Sequence, residues 1–141
     1  MPGCVFHAVG KGFDVDAFVA QTSLTPYPVF HRGDRPNARR EPHESSGLKV
    51  DVSQGDGCLR TECEDAEIWL STNMPELSRL AAYPGVEDLR LDFGYNRRAN
   101  ALVQCDYLPP SLLALAGKAR IGIELSLYAF GEEFPESRPT S

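Results

Sequence analysis

The sequence shows neither the long apolar run of a membrane-spanning helix nor the pattern of a secretory signal peptide. No stretch approaches the roughly 20 consecutive apolar residues that a helix needs to span a bilayer, although 42% of its 141 residues are hydrophobic. The first residues, Met1 to His7, contain neither a basic start nor the long apolar run of a secretory signal peptide. We therefore expect a cytoplasmic protein.

Positive charge is also scarce. The chain has 14 Lys and Arg against 20 Asp and Glu, which gives a net charge of −6. An electrostatic field of that sign repels the phosphates of nucleic acids and of anionic lipids. The composition therefore predicts no binding to nucleic acid or to membranes. It leaves two interpretations open: an acidic surface that maintains solubility, or one that binds a basic protein.

The sequence has few of the residues and motifs from which common catalytic and metal sites are built. Its four cysteines, at positions 4, 58, 63 and 105, do not have the spacing of zinc or redox pairs, so buried or incidental thiols are expected rather than a structural zinc site. Gly10-Lys11-Gly12 is too short for a phosphate-binding loop. No Gly-x-Ser-x-Gly or His-Glu-x-x-His pattern occurs. We expect no metal and no cofactor, and the sequence favours a non-enzymatic protein over an enzyme.

What the sequence does contain is an alternation of strand-like and helix-like segments. Short apolar runs with period-two alternation predict strands, and longer runs with apolar residues three to four apart predict helices. Pro75 is expected to interrupt the middle helix, with Asn73 capping its second part. The predicted strands cover residues 4–9, 28–32, 48–52, 86–93, 102–105 and 120–130, and the predicted helices cover 14–24, 59–83 and 109–116.

The order of these segments predicts an α+β fold. Residues 13–20 and 108–115 are similar helix-like segments, and each lies between two strand-like runs. We therefore expect a ferredoxin-like antiparallel or mixed sheet of about six strands, made of two similar βαβ-type halves, with helices packed on one face. A single domain over residues 1–131 is predicted, followed by a frayed polar tail over 132–141.

Two surface segments are candidate binding regions. The loop over residues 33–46 has almost no apolar side chains and is predicted to be mobile, and the connection over 94–100 is predicted to form a hairpin. Histidine titrates near neutral pH, arginine clusters bind anions, and tyrosine and arginine are enriched at binding hot spots. The candidate binding residues are His31, Asp34, Arg35, Tyr95, Arg97 and Arg98.

Several short motifs resemble those of a known family. They comprise residues 13–16 after a strand, the Thr-Pro within 24–26, the Gly-Asp within 32–34, the leucine-rich segment 108–113 and the final strand within 121–128. This pattern resembles the bacterial domain-of-unknown-function family 4279 over nearly the whole chain. The resemblance implies a bacterial origin and a fold, and it implies no activity and no catalytic residues.

We expect a non-enzymatic protein-binding or interaction module, immunity-like or regulatory, that uses the solvated sheet face with the segments 33–46 and 94–100. The alternative is a small ligand-binding or enzymatic domain. In that case, the strands of His7 and His31 would pair and bring the two rings to one pocket with Asp34 and Arg35. A homodimer formed by pairing sheet edges is compatible with either function.

Overall fold

A computed structural model describes residues 2–53 and 57–129, and it confirms the α+β class. Asp14 is the N-cap of the first helix, because its carboxylate accepts a hydrogen bond from the backbone N–H of Ala17 at 3.1 Å, and the helix ends at Val19 rather than at the predicted residue 24. Within the described ranges, no helix is both long enough and apolar enough to cross a membrane. The elements in chain order are β1 (Gly3–Gly10), α1 (Val15–Val19), β2 (Val29–Phe30), β3 (Ser46–Asp51), α2 (Leu59–Ala81), β4 (Asp88–Asn96), α3 (Pro110–Lys118) and β5 (Gly122–Tyr128).

Within the described residues, five strands form one mixed sheet in the order β2-β3-β1-β4-β5. β1 is antiparallel to both of its neighbours, and β5 is parallel to β4. The predicted sixth strand and the ferredoxin-like layout are therefore wrong. The two expected halves also differ, because β3 lies between β1 and β2 whereas β4 and β5 are direct neighbours.

The segment 102–105 was the predicted sixth strand. It contains no regular element, and Leu102 and Val103 are 99% and 69% exposed. Two adjacent apolar residues give a strand no single apolar face, so this segment has no preferred side to bury. The chain instead crosses over through α3, and a crossover of this kind joins parallel strands.

The helix α2 is continuous over 23 residues, so the predicted interruption at Pro75 is wrong. A proline inside a helix removes one N–H from the ladder and crowds the carbonyl four residues earlier, but α2 packs buried side chains against the core on both sides of Pro75, and this packing keeps the helix continuous. Asn73 is inside the helix rather than at a cap, and its side-chain amide donates to the carbonyl of Trp69 at 2.9 Å. The helix is held against the sheet by a stripe of buried apolar residues, which are Cys63, Ala66, Leu70, Leu77 and Leu80.

The helices cover one face of the sheet, as predicted. Side chains at alternate positions of β1, among them Cys4, Phe6 and Ala8, are fully buried in the core with residues of the helices. The intervening side chains, such as His7, point to the opposite face and are half-buried. The predicted end of the last strand, Phe130, and the predicted tail over 132–141 lie outside the described residues.

Candidate functional site: the open face of the sheet

The face of the sheet opposite the helices carries two neighbouring rows of charge. His7 of β1 lies directly between Lys49 of β3 and Arg90 of β4. Two residues along β1, Val5 lies between acidic residues, Asp51 on β3 and Asp92 on β4. Glu124 on β5 extends the acidic row beyond Asp92. The antiparallel and parallel registers together therefore place a cationic row beside an acidic one.

Hydrogen bonds fix several of these side chains. The guanidinium of Arg90 donates to the Asp88 carboxylate from Nε at 2.9 Å and from Nη2 at 2.7 Å, and it reaches Glu124 from Nη1 at 2.7 Å. The hydroxyl of Ser126 donates to Asp92 at 2.6 Å. Because the Arg90 pairs are about half exposed, each stabilises the fold by only about 0.2–1 kcal/mol. Their main effect is to hold charged groups in fixed positions across β4 and β5.

The net charge of this face is negative. It has four carboxylates, on Asp51, Asp88, Asp92 and Glu124, against the cationic groups of Lys49 and Arg90. His7 does not alter this balance at neutral pH, because partial burial and then the charge of Lys49 hold its pKa below the ordinary value of 6.5. The face therefore presents an acidic surface to solvent.

Aromatic rings flank the charged rows near both edges of the sheet. A Cβ at Gly47 would lie 2.7 Å from the ring of Phe30, and one at Gly94 would lie 3.0 Å from the ring of Tyr128. Each ring thus lies over a glycine of the strand next to its own. The ring of His43 lies 4.6 Å from that of Phe30. The acidic surface is consequently bordered by rings that include Phe30 and Tyr128, and aromatic residues are enriched at protein interfaces.

His31 lies on the other face and is held between two carboxylates. Its Nε2 is 3.0 Å from both carboxylate oxygens of Asp16, and its Nδ1 is 3.2 Å from Asp34. The bond to Asp16 and, to a smaller extent, the bond to Asp34 raise the pKa of His31 above its ordinary value of 6.5. The structure thus brings the predicted residues His31 and Asp34 together, and it adds Asp16 in the first turn of α1, which was not among the predicted binding residues.

The two imidazoles of His7 and His31 do not share a pocket. Their strands are not neighbours, because β3 lies between β1 and β2. His31 follows Phe30 at the end of β2 and reaches α1, on the side of the sheet that the helices cover. His7 points to the open face. The strand pairing on which the predicted pocket depended is therefore wrong.

Arg35 has a local structural contact in the loop over residues 33–46. Its Nη1 donates to the carbonyl of Arg40 at 3.0 Å. The loop is closed near its ends by backbone bonds from Gly33 to His43 at 2.8 Å and from His43 to Asp34 at 2.7 Å. The loop lies on the surface as predicted, and its conformation is defined by these bonds.

Tyr95 was predicted to be an exposed contact residue, and this is wrong: it is only 2% exposed. Strand β4 continues to Asn96, two residues beyond the predicted hairpin start, so Tyr95 falls on the same covered face as Phe93. Its hydroxyl donates to Asp106 at 2.8 Å. Desolvation and this bond both raise the pKa of Tyr95.

Arg97 and Arg98 are exposed and lie beside the end of β5. The backbone N–H of Arg97 donates to the carbonyl of Tyr128 at 2.8 Å. Both arginines line a shallow cavity of about 220 Å³, together with Gln104 and Leu127. The structure therefore separates the predicted binding residues into two distant parts of the fold: the loop after β2 and the segment after β4.

A larger cavity, of about 600 Å³, lies between the first turns of α2 and residues 105–109. Cys63 and Cys105 both line it, and Tyr107 stands at its surface, 73% exposed. Burial raises the pKa of the Cys63 thiol to about 11, so that thiol is protonated at neutral pH and is a weak nucleophile. Among residues 2–53 and 57–129, no group of three or more His, Cys, Asp or Glu side chains is arranged to hold a metal ion.

Comparisons with known proteins add no relatives. No protein-family model, no curated protein and no solved structure matches the chain. The relation to family 4279 stays a prediction.

Proposed function

We propose that this protein is a non-enzymatic protein-binding module, immunity-like or regulatory, whose open sheet face binds a basic surface of another protein. The observation that carries the proposal is the acidic charge of that face, together with the hydrogen bonds that fix Arg90, Asp92 and Glu124 in place. Fixed charges lose little conformational freedom on binding, which lowers the entropic cost of association. A complementary basic partner would also be steered towards this face during encounter.

The test begins by purifying a tagged chain from the cells that produce it and identifying any protein that copurifies at native expression. Binding of that purified partner is then measured by isothermal titration calorimetry against Asp51→Lys. Asp51 is exposed at the end of β3 and lies on the acidic row. We expect this charge reversal to weaken binding by about tenfold or more and to reduce the dependence of the affinity on salt.

The matched control is Glu64→Lys, which makes the same charge change on α2, where the carboxylate is 66% exposed. This variant should bind as tightly as the wild type. Equal loss in both variants, loss only in Glu64→Lys, or a partner whose contact surface is acidic would refute the proposal. Failure to recover any partner at native expression would also count against it.

A further inference from the structure

The outer edge of β5 is an exposed strand edge without the usual protective features. Within the part of the chain that the structure describes, β5 pairs only with β4. It is seven residues long, whereas β2 at the other edge of the sheet has two. Natural edge strands are commonly protected by lysine, proline or short length. β5 contains neither residue, and its one charged side chain, Glu124, is bound by Arg90.

The side chains along this edge are apolar and partly uncovered. Ile123, Leu125 and Leu127 share the face that the helices cover. Leu125 and Leu127 are nevertheless 41% and 42% exposed, because they lie at the limit of the sheet. A strand placed next to β5 would cover both leucines and pair its free backbone groups.

We propose that β5 pairs antiparallel with β5 of a second copy of this chain, about a two-fold axis at Leu125. The sequence of the strand is self-complementary in this register. Leu125 lies opposite Leu125 of the second copy, and Ile123 lies opposite Leu127, so three aliphatic pairs follow one another on the covered face. On the open face, Glu124 lies opposite Ser126 and meets no like charge.

Other registers fit less well. Centring the axis on Glu124 would place two carboxylates directly opposite each other, which is destabilising. Centring it on Ser126 would move Ile123 opposite Ala129 and leave two pairs of large aliphatic side chains, each of Leu125 with Leu127, in place of three. A shift by a single residue would turn the second copy over and place leucines opposite Ser126 or Glu124. Self-complementarity in one register is what selects a second copy over an unrelated peptide strand.

The dimer would have one continuous sheet, with both helical layers on the same side and both acidic faces on the other. The open face and the β5 edge share Glu124, but the dimer forms through the backbone and aliphatic side chains of β5, so this inference does not depend on the proposed function. A dimer would present two acidic faces to a partner, which raises avidity for a partner that is itself repeated.

The first test is the mass of the protein in solution, measured by light scattering during gel filtration. The wild type is expected at twice the chain mass of 15.5 kDa. Leu125→Lys is expected at the chain mass, because two lysines would meet at the axis. The control Leu102→Lys, at a site that is 99% exposed and outside the sheet, should remain dimeric. A monomeric wild type, or a Leu125→Lys variant that is folded by circular dichroism and still dimeric, would overturn the proposal.

The second test fixes the register and does not depend on the lysine variant folding. Leu125→Cys is made in a background of Cys58→Ser and Cys105→Ser, which removes the two exposed native thiols. Directly opposed Cβ atoms lie about 5 Å apart, close enough for a disulfide after small adjustments. Oxidation with copper phenanthroline should therefore give a covalent dimer with Leu125→Cys and none with Ser126→Cys. Cross-linking of Ser126→Cys alone, or of neither variant, would refute this register.

Discussion

The turn between α2 and β4 provides the sharpest test of how the fold is packed. Gly85 has a φ of +89°, and a Cβ placed there would collide with the backbone carbonyl of Gly12 and lie 2.7 Å from the nitrogen of Phe13. Gly33 has a similar φ of +94°, but a Cβ there would have nothing within 4 Å. Both glycines adopt a backbone conformation that other residues disfavour, but only at Gly85 would a Cβ atom also collide with neighbouring backbone.

Alanine substitution at the two sites therefore separates conformational strain from steric conflict. A left-handed backbone costs a non-glycine residue about 1–2 kcal/mol, so Gly33→Ala should lower the free energy of unfolding by that amount. Gly85→Ala adds overpacking against backbone that cannot move freely, and we expect a loss of about 2–5 kcal/mol. The difference between the two losses of stability therefore measures the steric conflict of the new Cβ with the backbone around Gly85.

The assay is urea unfolding followed by the fluorescence of Trp69, the single tryptophan, whose ring lies 5.2 Å from Phe6 in the core. Gly117→Ala in α3 is the control for glycine replacement itself. It has open space around it and no left-handed backbone, so it should stabilise the protein by about 0.4–1 kcal/mol. A loss for Gly85→Ala that is no larger than the loss for Gly33→Ala would contradict a steric conflict at Gly85.

Three further measurements test individual contacts. His31→Gln should lower the free energy of unfolding at about pH 5.5 and have little effect at about pH 8.5. The pKa of His31 is higher in the folded protein than its ordinary value of 6.5, so protonated His31 stabilises the fold fully below pH 6.5. This stabilisation is lost as the pH rises through the pKa of the folded state. A deficit that grows with pH in urea titrations would contradict this. Tyr95→Phe should cost about 1–2 kcal/mol in the same titrations, because it removes the bond to Asp106, and an unchanged midpoint would exclude a stabilising bond. A disulfide reagent at about pH 8 should modify the exposed Cys58 and Cys105 in the native protein and the buried Cys4 and Cys63 only after unfolding. Rapid reaction of all four thiols in the native protein would contradict their assigned burial.

The alternation of apolar and polar residues was enough to predict most of the strands. Lys49 and Asp51 alternate with apolar residues in the sequence, and both point away from the core in β3. The apolar series Ile121, Ile123, Leu125 of the last strand also lies on the helical side. Alternation assigns each side chain to a face because the period of a strand is two residues, and this holds whatever the neighbouring strand is.

The pairing of the strands could not be predicted in the same way, and the candidate site depends on pairing. His7 and Arg90 are 83 positions apart in sequence and become neighbours only through the register of β1 with β4. The run Asp88-Leu89-Arg90-Leu91-Asp92 could have indicated a strand with one charged face. It gives no information about which charged residues of the neighbouring strands lie beside that face. The contact of Asp16 with His31 depends in the same way on how α1 packs against the end of β2.

The absence of a strand at residues 102–105 explains several differences between the predicted and the observed sheet. β4 has one free side, since β1 occupies the other, so a hairpin strand at 102–105 and β5 would compete for the same position. β5 occupies the position beside β4 because its seven residues form a longer ladder. Its apolar residues also share one face, which continues from the buried Ile121 just before the strand. Its arrival through α3 makes it parallel to β4 and puts it at the end of the sheet. The exposed edge from which we infer a dimer thus results from the same competition that removed the predicted hairpin.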